Sequence, residues 1–190
     1  MIEQAVLLVG GKGERLNDGF RYTPIDYQPK PLVEVGGKPF ITYAINILRV
    51  FGVKDIVLLV GFQKERFEFL EEGPVRLITT QPDVDKAVLS IPDLQEYFIL
   101  LNGDCLPILN WSNLLSLWGT PTVPIKMNLR DAGVAVVSKA DLVGGKVSCG
   151  NIFKMKDIYP NMMIEGGLHV GTYQGLSRAR QYMDTVVFGA

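Results

Sequence analysis

The chain is 190 residues long, 47% hydrophobic and 21% charged, with a formal net charge of −1. That is enough for one substantial core of ordinary globular composition, and a charge so near zero gives no electrostatic case for nucleic acid or an anionic membrane. Two cysteines, Cys105 and Cys149, and a single histidine exclude a disulfide framework or a zinc finger, so the expected ligands are small.

Glu3 and Gln4 precede an apolar run too short for a signal peptide, and no apolar segment approaches bilayer length. A cytoplasmic protein is therefore expected, with residues 1–190 forming one domain.

The first element is Ala5-Val-Leu-Leu-Val9, uncharged and rich in β-branched residues, the pattern of a strand buried on both faces. Gly10, Gly11 and Gly13 follow, with Lys12 and Arg15 among them. Glycines let backbone N–H groups approach a ligand closely, and the cations suit phosphate oxygens. A Walker A loop needs four residues between its first Gly and a Gly-Lys-Ser/Thr, and a dinucleotide fingerprint needs a glycine where Leu16 stands, so neither motif is present.

Downstream comes Gln28-Pro-Lys-Pro-Leu32. Gly-Gly-x-Gly-x-Arg-Leu followed by Pro-Lys-Pro-Leu resembles the signature of the sugar-1-phosphate nucleotidyltransferases. The resemblance implies an α/β fold, a Rossmann-like three-layer sandwich with a mostly parallel central sheet, of the nucleotide-diphospho-sugar transferase type. It implies a nucleoside triphosphate and a sugar-1-phosphate, or a similar phosphorylated metabolite, as substrates, and a nucleotide-activated sugar as product. Val9, Gly10, Gly11 and Gly13 would wrap the triphosphate, Arg15 and Lys30 would hold its phosphates, and Lys12 would reach the pyrophosphate. The polar, turn-rich stretch from Asn17 to Gln28 is longer than in relatives and reads as a flap over the site.

Leu32–Val35 and Gly36-Gly37-Lys38-Pro39 read as a short extended piece and a turn, with Pro39 opening a helix. That helix carries Phe40, Tyr43, Ala44, Ile47, Leu48 and Phe51 at helical spacing and stops at Gly52. Asp55–Gly61 is a second buried strand, Gln63–Glu72 a helix and Val75–Thr79 a third strand. Strands alternating with helices at this spacing mean parallel pairing with right-handed crossovers.

Between Thr80 and Glu96 the family's Gly-Thr-Ala-Gly-like turn is replaced by Gln81-Pro-Asp-Val-Asp-Lys-Ala87, which leaves Gln81 as the candidate contact to a base. Tyr97–Asp104 is the fourth strand, apolar until Asn102-Gly103-Asp104. A carboxylate just past the carboxyl end of a parallel strand faces the crevice where open α/β sheets bind ligands. The resemblance makes Asp104 the Mg²⁺ ligand and Gly103 a nucleotide contact.

Asp131-Ala-Gly133 opens a strand to Ser138 and is similar to the family's sugar-gripping Asn-Ala-Gly, with an acceptor-only carboxylate in place of the amide. Trp111–Arg130 is short and lacks the family's Glu-Lys-Pro element, so the sugar lobe, about 120–170, reads as reduced. A second subunit completing it, in a homo-oligomer, stays open.

Glu165-Gly-Gly-Leu-His169 precedes Gly171-Thr172 and a helix with Leu176, Ala179 and Met183 on one side. The resemblance puts Glu165 near the substrate and His169 where relatives carry the aspartate that is the second metal ligand. The short chain and its ending are similar to the mannose- or heptose-1-phosphate guanylyltransferase branch. Two rivals keep different chemistry. A non-catalytic nucleotide-binding regulator would explain the altered turn, and a glycosyltransferase would need an Asp-x-Asp that Asn102-Gly-Asp104 only half supplies.

Overall fold

The computed structural model describes residues 1–17, 28–109, 111–116, 123–127, 130–152 and 164–188. Strands β1 (Gln4–Leu8), β4 (Asp55–Val60), β5 (Val75–Thr79) and β6 (Tyr97–Asn102) run parallel in one sheet. It is completed by β9 (Arg130–Ser138) and β8 (Val123–Met127), both antiparallel to their neighbours, in the order β5-β4-β1-β6-β9-β8. Two short hairpin strands, β2 (Glu34–Val35) and β3 (Lys38–Pro39), precede β4.

The sheet is buried on both faces, and the sequence alternates accordingly. Ala5 and Leu7 of β1, Ile56 and Leu58 of β4, and Ile99 and Leu101 of β6 enter one core. Val6, Val57, Leu59, Phe98 and Leu100 enter the other. The uninterrupted apolar runs are thus two interleaved sets, one per face.

Helix α2 (Ile41–Val50) covers the first core with Ile41, Ala44, Ile45 and Leu48. Tyr43, Ile47 and Phe51, expected on the same stripe, lie at its partly buried edge, so the buried face is turned from the one the spacing suggested. Pro39 stands in β3 rather than in the helix, because Gly36 and Gly37, both at positive φ, close a hairpin first.

The stretch after β4 is a 3₁₀ helix, Lys64–Leu70, and not an α-helix. Its buried residues Phe67 and Leu70 are three apart, a spacing that three residues per turn bring onto one side. Conversely, the region after β5 contains an unexpected helix, α3 (Val84–Leu89), whose N-cap Asp83 accepts a hydrogen bond from the Lys86 N–H at 3.1 Å. The remaining helices are α1 (Glu14–Asn17), α4 (Trp111–Leu115), α5 (Lys139–Val143) and α6 (Tyr173–Phe188).

A second, two-stranded antiparallel sheet pairs β7 (Cys105–Leu109) with β10 (Ile164–His169). Its register sets His169 opposite Cys105, and the Val170 N–H donates to the Asp104 carbonyl at 2.9 Å. Two segments more than sixty residues apart in sequence therefore meet where β6 ends. Of the expected flap, Asn17–Gln28, residues 18–27 lie outside the described residues, as do 120–122, 128–129 and 153–163 of the expected reduced lobe. No helix among the described residues is long and apolar enough to cross a membrane.

Candidate functional site

The sheet order sends β4 and β5 to one side of β1 and β6 to the other, so the crevice at the carboxyl ends of β1 and β6 is a topological switch point. A cleft of about 650 Å³ opens there. Val9, Gly10, Gly11, Gly13, Arg15, Lys30, Gln81 and Asp104 all line it, although they come from four separate stretches of chain. Lys12 borders an adjoining hollow of about 290 Å³ together with Gly13, Glu14, Arg15 and Lys30.

Glycine is required at the floor because backbones cross in contact. A Cβ on Gly10 would stand 2.7 Å from Thr80 Cγ2 and 3.3 Å from the Gly61 amide nitrogen. One on Gly61 would stand 2.8 Å from the Gly10 carbonyl, which accepts the Phe62 N–H at 3.1 Å. Gly11, by contrast, has open space around it, and Gly13 sits at φ 71°, turning the chain into α1. Gly103 is locked beneath, where a Cβ would meet Val9 Cγ1, the Leu8 carbonyl and Pro31 Cγ. Its role is to let β6, β1 and the Pro-Lys-Pro turn converge.

Lys30 occupies a 3₁₀ turn, Lys30–Leu32, between two prolines and extends to Asp104, with Nζ 3.5 Å from Oδ2. The Asp104 side chain is 18% exposed and meets two further groups. His169 Nε2 lies 3.4 Å from the same oxygen, and the Cys105 thiol donates to Oδ1 at 3.5 Å. Burial alone would raise the Asp104 carboxyl. The Nε2–H of His169, the charge of Lys30 and the thiol outweigh it and hold the carboxyl below its ordinary range.

Asp104, Cys105 and His169 offer ligand atoms all within 4.8 Å of one another. Gly171 keeps this group open on one face, since a Cβ there would fall 2.5 Å from His169 Nε2 and 2.8 Å from Asp104 Oδ2. Gly133, at φ 70°, packs behind, where a Cβ would lie 2.6 Å from Cys105 Sγ. It therefore backs the cysteine. Asp131 and Glu165 belong to β9 and β10, and their side chains lie outside the described residues.

Sequence reasoning did not single out Gly61, Thr80, Asn102 or Gly171, of which Thr80 and Asn102 line the cleft. The signal for Thr80 was available, because the residue following a parallel strand shares the crevice with the loop after β1. Gly171 carries no such signal, since its contact depends on a pairing between distant strands.

A doubly covered, mostly parallel sheet with a glycine-floored, cation-lined crevice at its switch point has the nucleotide-diphospho-sugar transferase fold. The family model for the MobA-like NTP transferase domain matches residues 5–105, and the chain belongs to that family. The chain is 41% identical over 76 residues to the choline-phosphate cytidylyltransferase of Streptococcus pneumoniae, a match covering 40% of this chain and 31% of that protein. It is 27% identical over 174 residues to a bifunctional sugar-1-phosphate nucleotidylyltransferase/acetyltransferase of Sulfurisphaera tokodaii, covering 87% of this chain and 40% of that one. The chain thus spans well under half the length of these two curated relatives. Among solved structures, a nucleotidyl transferase from Methanothermobacter thermautotroptrophicus superposes with a TM-score of 0.73 at 13% identity, over 96% of this chain and 98% of that one.

Proposed function

We propose that this chain transfers a nucleotidyl group from a nucleoside triphosphate to a phosphate monoester, a sugar-1-phosphate or a similar phosphorylated small molecule, releasing pyrophosphate. One observation carries the reading: the glycine loop, Arg15, Lys30 and Asp104 line a single cleft at the switch point. The relatives' names supply the two acceptor classes, a choline phosphate and a sugar-1-phosphate.

In this reading an oxygen of the acceptor phosphate attacks the α-phosphorus as the bond to the bridging oxygen breaks, and pyrophosphate departs. No covalent intermediate with the protein is needed, so the chain contributes alignment and charge. Amides of Gly10, Gly11 and Gly13 cradle the triphosphate, Lys30 and Arg15 neutralise its oxygens, and Lys12 meets the leaving pyrophosphate. Gln81 faces the base, Gly103 lets β1 and the Pro-Lys-Pro turn close beneath the nucleotide, and Asp131, Gly133 and Glu165 belong to the acceptor side.

The residues fit a divalent ion, because an ionised, largely buried carboxylate stands beneath the face that Gly171 leaves open. Asp104 would hold Mg²⁺, which when bound supplies positive charge at the phosphate oxygens. A hard ion of this kind uses one or two carboxylates and takes its remaining ligands from phosphates and water. The whole would operate as a single domain with a reduced acceptor lobe.

The test is a pyrophosphate-release screen of four nucleoside triphosphates against a panel of sugar-1-phosphates and choline phosphate, with Mg²⁺ present. The expected result is stoichiometric release for one pairing. Nucleotide binding without release for any acceptor would instead establish the regulatory reading, which the replaced turn after β5 favours.

A further inference from the structure

His169 is the chain's one histidine, on the last residue of β10 with its side chain 47% exposed and Nε2 against Asp104. The resemblance would make it a metal ligand. Its other ring nitrogen says otherwise. Nδ1 accepts the Gly171 backbone N–H at 3.2 Å, so Nδ1 presents a lone pair and the ring hydrogen belongs to Nε2, the atom 3.4 Å from Asp104 Oδ2.

A histidine that binds a metal through one nitrogen donates the hydrogen on its other nitrogen to a carboxylate, a carbonyl or water. Here the partner of Nδ1 is itself a donor. Ligation through Nε2 would shift the ring hydrogen to Nδ1 and set two N–H groups against each other across 3.2 Å.

The turn is not free to relieve that conflict. A Cβ on Gly171 would fall 2.5 Å from Nε2, so ring and backbone are in contact. A Cβ on Gly175 would collide with the His169 carbonyl, and the Gly175 N–H is tied to Thr172 Oγ1 at 3.1 Å as α6 begins.

We infer that His169 is a positioning residue, an Nε2–H donor that orients the Asp104 carboxylate, and that among the described residues Asp104 alone is the ligand of the ion. The thiol of Cys105 steadies Oδ1 while His169 and Lys30 face Oδ2. With one carboxylate from the chain, already in contact with Lys30, His169 and the thiol, the ion gains most of its ligands from the triphosphate and binds with it. The identity of the ion rests on the proposed function; the tautomer does not.

Long-range proton–nitrogen NMR of the labelled full chain reads the tautomer directly, because only one imidazole contributes signals. At neutral pH the hydrogen is expected on Nε2 in the free protein and, unmoved, after addition of Mg²⁺ with each of the four nucleoside triphosphates in turn. A hydrogen on Nδ1 in either state overturns the inference.

Mn²⁺ binding followed by electron paramagnetic resonance gives a second readout. Free protein should bind Mn²⁺ weakly, a triphosphate should strengthen binding, and His169→Gln, whose amide can still donate, should leave the strengthened affinity within about threefold. A loss of about tenfold or more in His169→Gln would make the imidazole a ligand. The absence of pyrophosphate release would defeat the proposed function while leaving the NMR result intact, so the two failures are distinct.

Discussion

The two ends of the parallel sheet are built from the same strands and solve opposite problems. At the amino end, Gln4 of β1 is fully buried, donates from Nε2 to Asp55 Oδ2 at 2.5 Å and accepts the Gln95 N–H at 2.8 Å. Asp55 of β4 is gripped bidentately by Arg76 of β5, with Nε and Nη2 each at 2.8 Å, and Arg76 reaches on to the Pro92 carbonyl at 3.0 Å. Among the described residues no buried side-chain nitrogen or oxygen lacks a partner there. At the carboxyl end β1 and β4 lead into Gly10 and Gly61, β6 leads into Gly103 and Asp104, and Arg15 and Lys30 face a cleft. A closed network fixes strand order, and an open one leaves its hydrogen-bonding capacity for a ligand.

This division predicts that substitutions at the two ends separate activity from stability. The largest effect is expected at the open end. Asp104→Asn keeps the shape but removes the charge opposite Lys30, and turnover should fall about 10²–10³-fold, as when one preorganised electrostatic contact is lost. Its melting temperature should move by only a few degrees. Pyrophosphate release and a thermal melt on the same sample check both halves, and a variant that is active but unfolds would reverse the assignment.

The mirror experiment is Asp55→Ala. It leaves Arg76 with only the Pro92 carbonyl and the buried Gln4 amide with only the Asp93 carbonyl at 3.3 Å, at a cost of about 2–3 kcal/mol, since charged hydrogen bonds are lost at a partly buried site. Denaturant unfolding should show that loss while kcat for the folded fraction stays unchanged.

Acid sharpens the same contrast. Burial alone would raise the Asp55 carboxyl, but hydrogen bonds from Arg76 and Gln4, with the guanidinium charge, hold it below the ordinary range. A lowered folded-state value means that the stabilisation is complete above the unfolded carboxylate value, about 3.9, and disappears as pH drops through the folded one. Asp55→Asn should therefore have a shallower decline in unfolding free energy below about pH 4 than the parent chain. Parallel slopes would mean that the network contributes nothing to acid sensitivity.

Most of the sheet was readable because burial on both faces writes continuous apolar runs: Val75–Thr79 was bounded to the residue, and β1 and β4 nearly so. The loop after β1 was legible for a different reason, since Gly10, Gly11 and Gly13 with Arg15 and Lys30 carry chemistry in their identities. Short-range geometry was harder. Phe67 and Leu70 fit a 3₁₀ turn and an α-turn about equally in sequence, and α3 was hidden because its six residues are too few for a period to emerge. The Asp104–His169 contact was invisible to spacing, for it depends on β7 pairing with β10 across a long separation. Motif register suggested that the two met, but only the position of the Gly171 amide distinguishes donor from ligand.

The smallest expected effect tests whether the floor of the cleft is shaped by steric contact alone. Gly10→Ala puts a methyl group 2.7 Å from Thr80 Cγ2, an atom on a side chain, and 3.3 Å from the Gly61 nitrogen, an atom of the backbone. The first clash is removable and the second must be absorbed by a shift of a few tenths of an ångström. Gly10→Ala should raise the KM for the triphosphate about tenfold, with less change in kcat, because it displaces the loop after β1 and not the charges on Lys30 and Asp104. Adding Thr80→Ser deletes Cγ2 and should recover most of the loss, whereas Thr80→Ser alone should be close to neutral. If the double variant were no better than Gly10→Ala, the defect would lie in backbone conformation at position 10, and the open end would be as rigidly determined as the closed one.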